Sequence, residues 1–449
     1  MASRDHGYPI ADAIPQARLD AEADYLDSLV VRPWPSRLLG YLRLGGPGFM
    51  TAAATLGAGT LTAAMLSGAT FGYRLLWISW FSIGSGLFMM AAMARFTCRG
   101  EFRLLQVQRE RHGWFLSRVL TGFVGLVAVA VVFNFGQVAL GTHLLESLGD
   151  SLGVPLPQSW NWVLYGALTA WLSLSYGRGS NGVRRVEQVM KAALLGMFFC
   201  FGACLLVVGV DWPAALRGLF VPWLPRGQAG IDIFIASSAA AIGVADWVFF
   251  HYAGLAKSWG PRHEKLARAD TVLGLALPFV LVSFVVVSLF AGTLHGTGST
   301  PESAAELAAA LAPLLGEQLA TVVFTLGFLV VPLTSSVVLG IICAMGLHEV
   351  FGWEPDVRSN RWRACVLVPQ VALLAVFFPS PVLLIIVIAA LLSLTNNIVG
   401  WSFFLLLHDR DVPGENRCRS YPWNLGILVQ LTLLNGVAIL WVFNRLGWW

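Results

Sequence analysis

Residues 46–73 read GPGFMTAAATLGAGTLTAAMLSGATFGY, and the rest of the chain is organised around them. The stretch is long and apolar enough to cross a bilayer whose hydrocarbon core takes about 20 helical residues. Gly57-Ala58-Gly59 sits in its middle, where glycine weakens a helix most. Two half-helices meeting at membrane depth are the expected result. Amides and carbonyls freed by such a break find no partner in lipid, so the break is tolerable only where it lines a cavity or holds something. This points to a carrier with its site at the break.

The composition agrees. Of 449 residues, 57% are hydrophobic and 12% charged, with a mean hydropathy of +0.70; a soluble domain carries about twice that charge. The chain is therefore expected to be an all-α integral membrane protein. Eleven spans are expected, near 46–70, 75–96, 117–145, 160–176, 190–210, 231–256, 270–292, 317–347, 364–379, 381–407 and 424–444. Short strands of period-two alternation are absent, which excludes an outer-membrane barrel.

The 29 Lys and Arg residues set the orientation: with the N-terminus inside, 25 fall in inner segments, leaving Arg74, Arg217, Arg226 and Arg445 outside. A multi-pass protein of a bacterial-type plasma (inner) membrane is expected, with a cytoplasmic N-terminus and an outside C-terminus. Residues 1–45 mix acids, arginines and prolines with no apolar core of a signal peptide. They are expected to form a mobile cytoplasmic tail, with a short surface helix over Ala17–Val30, ahead of a transmembrane domain at 46–449. The net charge of +4 reflects the loop bias and gives no reason to invoke nucleic acid. The bilayer is the expected partner, and no obligate protein partner is implied. The six cysteines suggest no disulfide framework, and Cys200 and Cys204 are expected to pack as small apolar residues.

Polar residues inside the spans single out candidates. Asn134 and Gln137 lie one turn apart in helix three and serve either as an interhelical hydrogen-bond pair or along a solute path. Helix six, IFIASSAAAIGVADWVFFHYAGL, repeats the weak point at Gly243, and Asp246 follows. A carboxylate at that depth costs about 2.5–3.5 kcal/mol on insertion scales, so it is expected to face a partner, water or a bound cation. His251 lies about 140° further round the helix and is either a packing residue or a further ligand. The hydroxyls of Pro332-Leu333-Thr334-Ser335-Ser336 either mend a kink or face the cavity. Ser393, Thr395, Asn396 and Asn397 form a polar knot in helix ten. Ala304–Leu315 is expected as a surface helix and Trp448-Trp449 as interfacial anchors. Breaks in helices one and six, five spans apart, imply inverted five-helix repeats at about 46–210 and 231–407, with an extra helix at about 424–444.

On these residues the chain resembles the NRAMP family of divalent-metal transporters over most of 44–445. GPGFM opens helix one, GATFGYRLLW leads into helix two, RRVEQVMKA enters helix five and FFHYAGL closes helix six. The resemblance implies a LeuT-type fold (5+5 inverted repeat plus one), metal import and usually proton symport. The family's D-P-G-N reads Gly57-Ala58-Gly59-Thr60 here, and its M-P-H reads Val244-Ala245-Asp246, with the second histidine kept as His251. The carboxylates of its proton route fall on Asn134 and Gln137. A divergent branch is implied, similar to the NRAMP-related magnesium transporters.

The expected substrate-binding residues are Gly57, Gly59, Thr60, Gly243, Val244, Asp246, His251 and Asn396. Asp246, Thr60 and the Gly57 backbone carbonyl are the expected metal ligands, and the only metal implied is the transported ion; no cofactor is expected. Oxygen ligands suit Mg²⁺, Mn²⁺ or Ca²⁺, whereas a thioether, which Val244 replaces here, suits softer ions. Transport of a hard divalent cation without proton coupling is expected. A rival is an organic solute such as an amino acid, its carboxylate at a half-helix N-terminus by Gly57 and its amine at Asp246. A transport-dead sensor or scaffold is a third reading. No nucleophile and base pair suggests an enzyme.

Overall fold

Two helices precede the broken one. The computed structural model describes residues 10–11, 14–100, 102–155, 157–225, 227–239, 243–297, 317–377, 396–409 and 421–445. Helix α1 (Gln16–Val30) buries Ala23, Leu26 and Leu29 along one stripe, and α2 (Trp34–Leu44) follows a short link that ends in Pro33. The described part of the N-terminal segment is thus docked rather than mobile. Ile10 and Ala11 are buried, the Val357 N–H donates to the Ile10 carbonyl at 3.0 Å, and Arg262 pairs with Asp24 and Asp27 at 2.7 and 2.6 Å. The tail's acids are therefore partners for a loop arginine far along the chain, which no local pattern around them reveals.

Helices α3 (Pro47–Thr55) and α4 (Ala58–Phe71) are the two halves of the organising stretch, and the pair bends by 57° at Leu56-Gly57. The start of α3 is held by buried charge. The Gly48 N–H donates to Asp270 at 2.6 Å, Lys257 donates to the Leu44 carbonyl at 3.0 Å, and Lys191 donates to the carbonyls of Leu42 and Gly45. Lys257 also pairs with Glu187 at 3.0 Å. A Cβ on Gly45 or Gly46 would strike the carboxylates of Asp270 and Glu187, so this close approach requires glycine. Asp270, at the head of a span that reads as featureless, is therefore a buried anchor.

Beyond this come α5 (Trp77–Gly100), α6 (Leu104–His112), α7 (Phe115–Ser151), α8 (Gln158–Tyr176), α9 (Ser180–Val208) and α10 (Trp212–Phe220). The predicted sixth span falls on α11 (Gln228–Ala239) and α12 (Val244–Ala256), two helices on either side of residues 240–242. Then follow α13 (Pro261–Thr293), α14 (Glu317–Phe351), α15 (Asn360–Leu367, continued as a 3-10 stretch to Phe377), α16 (396–408) and α17 (Tyr421–Arg445).

Among the described residues, five helices are long and apolar enough to span a membrane, and the bent α3–α4 pair makes a sixth. Of the remaining five predicted spans, those at 160–176, 231–256, 364–379 and 424–444 fall on α8, α11 with α12, α15 with its 3-10 extension, and α17; the described part of 381–407 is α16, and residues 378–395 lie outside the described residues. Ala304–Leu315, Ser393, Thr395 and Trp448-Trp449 lie outside the described residues. Helix α14 is central, with 89% of its most apolar window buried against 28% for α9. Its proline-adjacent hydroxyls divide their roles. Thr334 bonds back to the Val331 carbonyl at 3.1 Å, Ser336 meets the Tyr165 hydroxyl at 2.8 Å, and Ser335 donates to the Ala53 carbonyl of α3 at 2.7 Å. The last bond sets the end of α3 against α14 at the break.

Candidate functional site

Both helix breaks open on one small cavity of about 80 Å³, lined by Thr55, Gly57, Gly59 and Thr60 on one side and by Gly243 and Asp246 on the other, with Gln137 and Asn396 between. The starts of α4 and α12 therefore face the same space. Each is a helix N-terminus with unpartnered N–H groups and a partial positive charge. Neither glycine at the start has a side chain to cap it, and distant amides supply the cap. Gln137 Oε1 accepts the Ala58 N–H at 3.0 Å, and Asn396 Oδ1 accepts the Val244 N–H at 3.0 Å.

Asp246 occupies the first turn of α12 and its Oδ2 accepts the Gly243 N–H at 2.8 Å. Its negative charge complements the positive helix end, which lowers the cost of holding a carboxylate at this depth. Thr60 donates its hydroxyl proton to the Thr55 carbonyl at 2.6 Å, which leaves the hydroxyl oxygen as an acceptor. Ala54 and Thr55 belong to the last turn of α3, whose carbonyls lack intrahelical partners. The walls between are apolar, with Val129, Phe133, Leu339 and Ile342 among them. What faces the cavity is an oxygen set with one formal charge.

Several expected residues sit elsewhere. The Gly57 carbonyl accepts the first bond of α4 from the Leu61 N–H at 3.1 Å, so it points along the helix; the carbonyls available at the break are those ending α3. Val244 is not among the cavity-lining residues: its N–H donates to Asn396 while its side chain packs on Gly125. Asn134, fully buried, donates to the Pro369 carbonyl at 2.8 Å and ties α7 to the segment after α15. Of the two helix-three amides, only Gln137 reaches the cavity, and there it is a helix cap.

His251 is not brought to the cavity. Its Nδ1 lies 2.9 Å from the Thr97 hydroxyl and its Nε2 lies 2.9 Å from the Phe102 carbonyl and 3.2 Å from the Leu104 amide. The rotation along α12 that separates it from Asp246 aims it at the link between α5 and α6. His251→Ala is accordingly expected to lower the unfolding temperature, because a buried donor or acceptor left without a partner costs about 1–3 kcal/mol. Its cation affinity should stay within about threefold of the parent's, a difference of about 0.7 kcal/mol; a larger fall in titration calorimetry would put His251 back among the ligands.

Sequence reasoning missed the cavity's apolar walls and its Thr55 and Ala54 carbonyls, because nothing marks an ordinary Val, Leu, Ala or Thr inside a span. Asn396 stands out in the sequence only as part of a polar knot with no location.

The chain matches the family model described as natural resistance-associated macrophage protein-like over residues 48–442. It is 27% identical over 310 residues to the divalent metal cation transporter MntH of Yersinia pestis, covering 66% of this chain and 70% of the relative. Its fold is similar to that of the Eremococcus coleocola manganese transporter, crystallised as the mutant H236A. The TM-score is 0.73 at 14% identity, over 91% of this chain and 88% of the other. It is also similar to MHP1, a nucleobase-cation-symport-1 family transporter solved with bromovinylhydantoin bound, with a TM-score of 0.58 at 13% identity over 89% and 93% of the chains.

Proposed function

The chain belongs to the natural resistance-associated macrophage protein-like family, and from that premise we propose that it carries divalent metal cations across the membrane by alternating access about the two helix breaks. It is an integral membrane transporter of LeuT-type fold and not an enzyme. The ion favoured is a hard one, Mn²⁺ or Mg²⁺. The observation that carries this choice is the cavity lining: the Asp246 carboxylate, the Thr60 hydroxyl and helix-end carbonyls, with neither sulfur nor imidazole among the described residues there. Such donors match hard cations that keep part of their water.

Size and donor supply weigh against the organic-solute reading. Small-molecule sites are usually about 300–1,000 Å³, well above the roughly 80 Å³ here. A substrate carboxylate would have to compete for the N–H groups of Ala58, Gly243 and Val244 with the side-chain oxygens that hold them. The charge split among the loops supports an N-in, C-out orientation in a plasma membrane.

Purified protein in liposomes tests the proposal. Mn²⁺ uptake should be saturable, and Cd²⁺ should compete no better than Mg²⁺, because the lining offers no soft ligand to prefer it. Strong block by trace Cd²⁺ would exclude the hard-ion choice, and absence of any uptake would leave a sensor or scaffold. With a pH dye inside the same liposomes, uptake should proceed without acidification. Asn134 and Gln137 do not titrate, and both are spent as fixed hydrogen-bond partners. Acidification in proportion to Mn²⁺ entry would establish proton coupling instead.

A further inference from the structure

A second, larger pocket lies away from the cation cavity, under the N-terminal helix. It has a volume of about 520 Å³ and is enclosed by α1, the end of α2, the beginning of α9 and the end of α12. Arg18, Arg43 and Arg184, all exposed, line it from three different helices, together with Lys191 and Lys257. Only two acids, Glu22 and Glu187, line the same space.

One of the two acids is already committed. Glu187 is paired with Lys257 at 3.0 Å, and Glu22 lies 3.9 Å from His263. The remaining carboxylates of α1 are turned elsewhere as well: Asp24 and Asp27 hold Arg262, and Asp20 accepts from Gln16 at 3.0 Å. Among the described residues, the three pocket arginines have no acidic partner. Docking of α1 thus brings three exposed arginines to the lining of one concave surface where five basic residues face two acids, a positive field that favours an anion.

We propose that this pocket binds a phosphate-bearing anion of two or three negative charges. The volume is in the range of small-ligand sites. Guanidinium forks arriving from separate helices suit the several oxygens of a phosphate, each fork giving paired N–H···O bonds. The site stands at the end of the bundle where chain links meet helix ends. A lipid headgroup reaches such a position as readily as a soluble phosphate does. Lys191 and Lys257 are bonded to the Leu42, Leu44 and Gly45 carbonyls, so the ligand would sit on the hinge from which α3 starts and would hold α1 in place over it.

The experiment uses the full chain. One arm titrates inorganic pyrophosphate onto detergent-solubilised protein; the other compares nanodiscs of phosphatidylcholine alone with nanodiscs containing phosphatidic acid. The parent's unfolding temperature is expected to rise in at least one arm, since a ligand that binds only the folded state stabilises it. A rise with the lipid alone identifies the headgroup as the source, and a rise in both arms identifies the free anion as sufficient. R18A/R43A/R184A should abolish the rise, because each guanidinium removed takes away charge-assisted hydrogen bonds and lowers affinity by about tenfold. Arg184→Gln, a single change on an exposed position of α9, should weaken the response by about tenfold on the same grounds and serves if the triple variant does not fold. No rise in either arm, or a response in the variants equal to the parent's, would overturn the proposal.

Discussion

Asp246→Asn is expected to weaken Mn²⁺ binding by at least about tenfold, since removing a charged partner costs about 1.5–3 kcal/mol, while leaving the fold intact. The two consequences separate because the side chain has two jobs. Its Oδ2 caps the start of α12 by accepting the Gly243 N–H at 2.8 Å, and an asparagine oxygen can take the same bond. Among the described residues, its charge is the only formal negative charge lining the cavity, and asparagine removes it. Removing a buried charge also lifts a desolvation cost, so the unfolding temperature should hold or rise. Asp246→Ala makes the contrast: it removes both charge and cap, and should reduce stability by about 0.5–2 kcal/mol as cap removals do. If Asp246→Asn binds Mn²⁺ as the parent does, the cation site is elsewhere. If it unfolds like Asp246→Ala, the carboxylate is structural.

The second large effect is expected where the chain departs from its family's helix-one motif. Restoring the carboxylate with Gly57→Asp should fail in the parent background. A Cβ at this position would lie 2.8 Å from Gln137 Nε2 and 3.2 Å from both Ser335 Oγ and the Ala54 carbonyl. Overpacking of this kind costs about 1–3 kcal/mol. The backbone itself is no obstacle, because Gly57 has φ −74° and ψ 177°, open to any residue. The obstacle is the amide that does the capping in its place. In Gly57→Asp/Gln137→Ala the nearest of these contacts is gone, and aspartate at a helix N-cap accepts the N–H groups ahead of it. The double variant should recover the stability that the single one gives up, with a coupling of at least about 1 kcal/mol in the double-mutant cycle. It should also bind Mn²⁺ more tightly than the parent, with two carboxylates at the cavity. Additive effects of the two changes would show that Gly57 and Gln137 are independent.

Both expectations turn on pairings that no local pattern announces. Gln137 is 79 residues from Ala58 and Asn396 is 152 from Val244, and each amide is visible in the sequence only as a polar residue in an apolar span. The same holds for Asp270, 222 residues from the glycine it anchors, and for α1, whose acids find Arg262 only after folding. His251, which the sequence leaves as a packing residue or a further ligand, shows the opposite case. A histidine five residues beyond Asp246 looks like a neighbour along the chain, yet a helix turns it to another face.

By itself the sequence determined that the chain is a helical membrane protein, that its organising helix breaks at Gly57, and that Asp246 is the exceptional charge at depth. These follow from short-range physics, namely hydropathy over about 20 residues and the backbone freedom of glycine, which act the same way whatever surrounds them. The tertiary structure alone decided which side chains meet the two breaks. It gave the N–H groups of Ala58, Val244 and Gly243 to Gln137, Asn396 and Asp246, turned the Gly57 carbonyl into α4, and removed His251 to the α5–α6 link. Those outcomes depend on helix rotation and on pairing between helices far apart in the chain, where the demand of buried polar groups for partners selects among side chains that the sequence alone leaves equivalent.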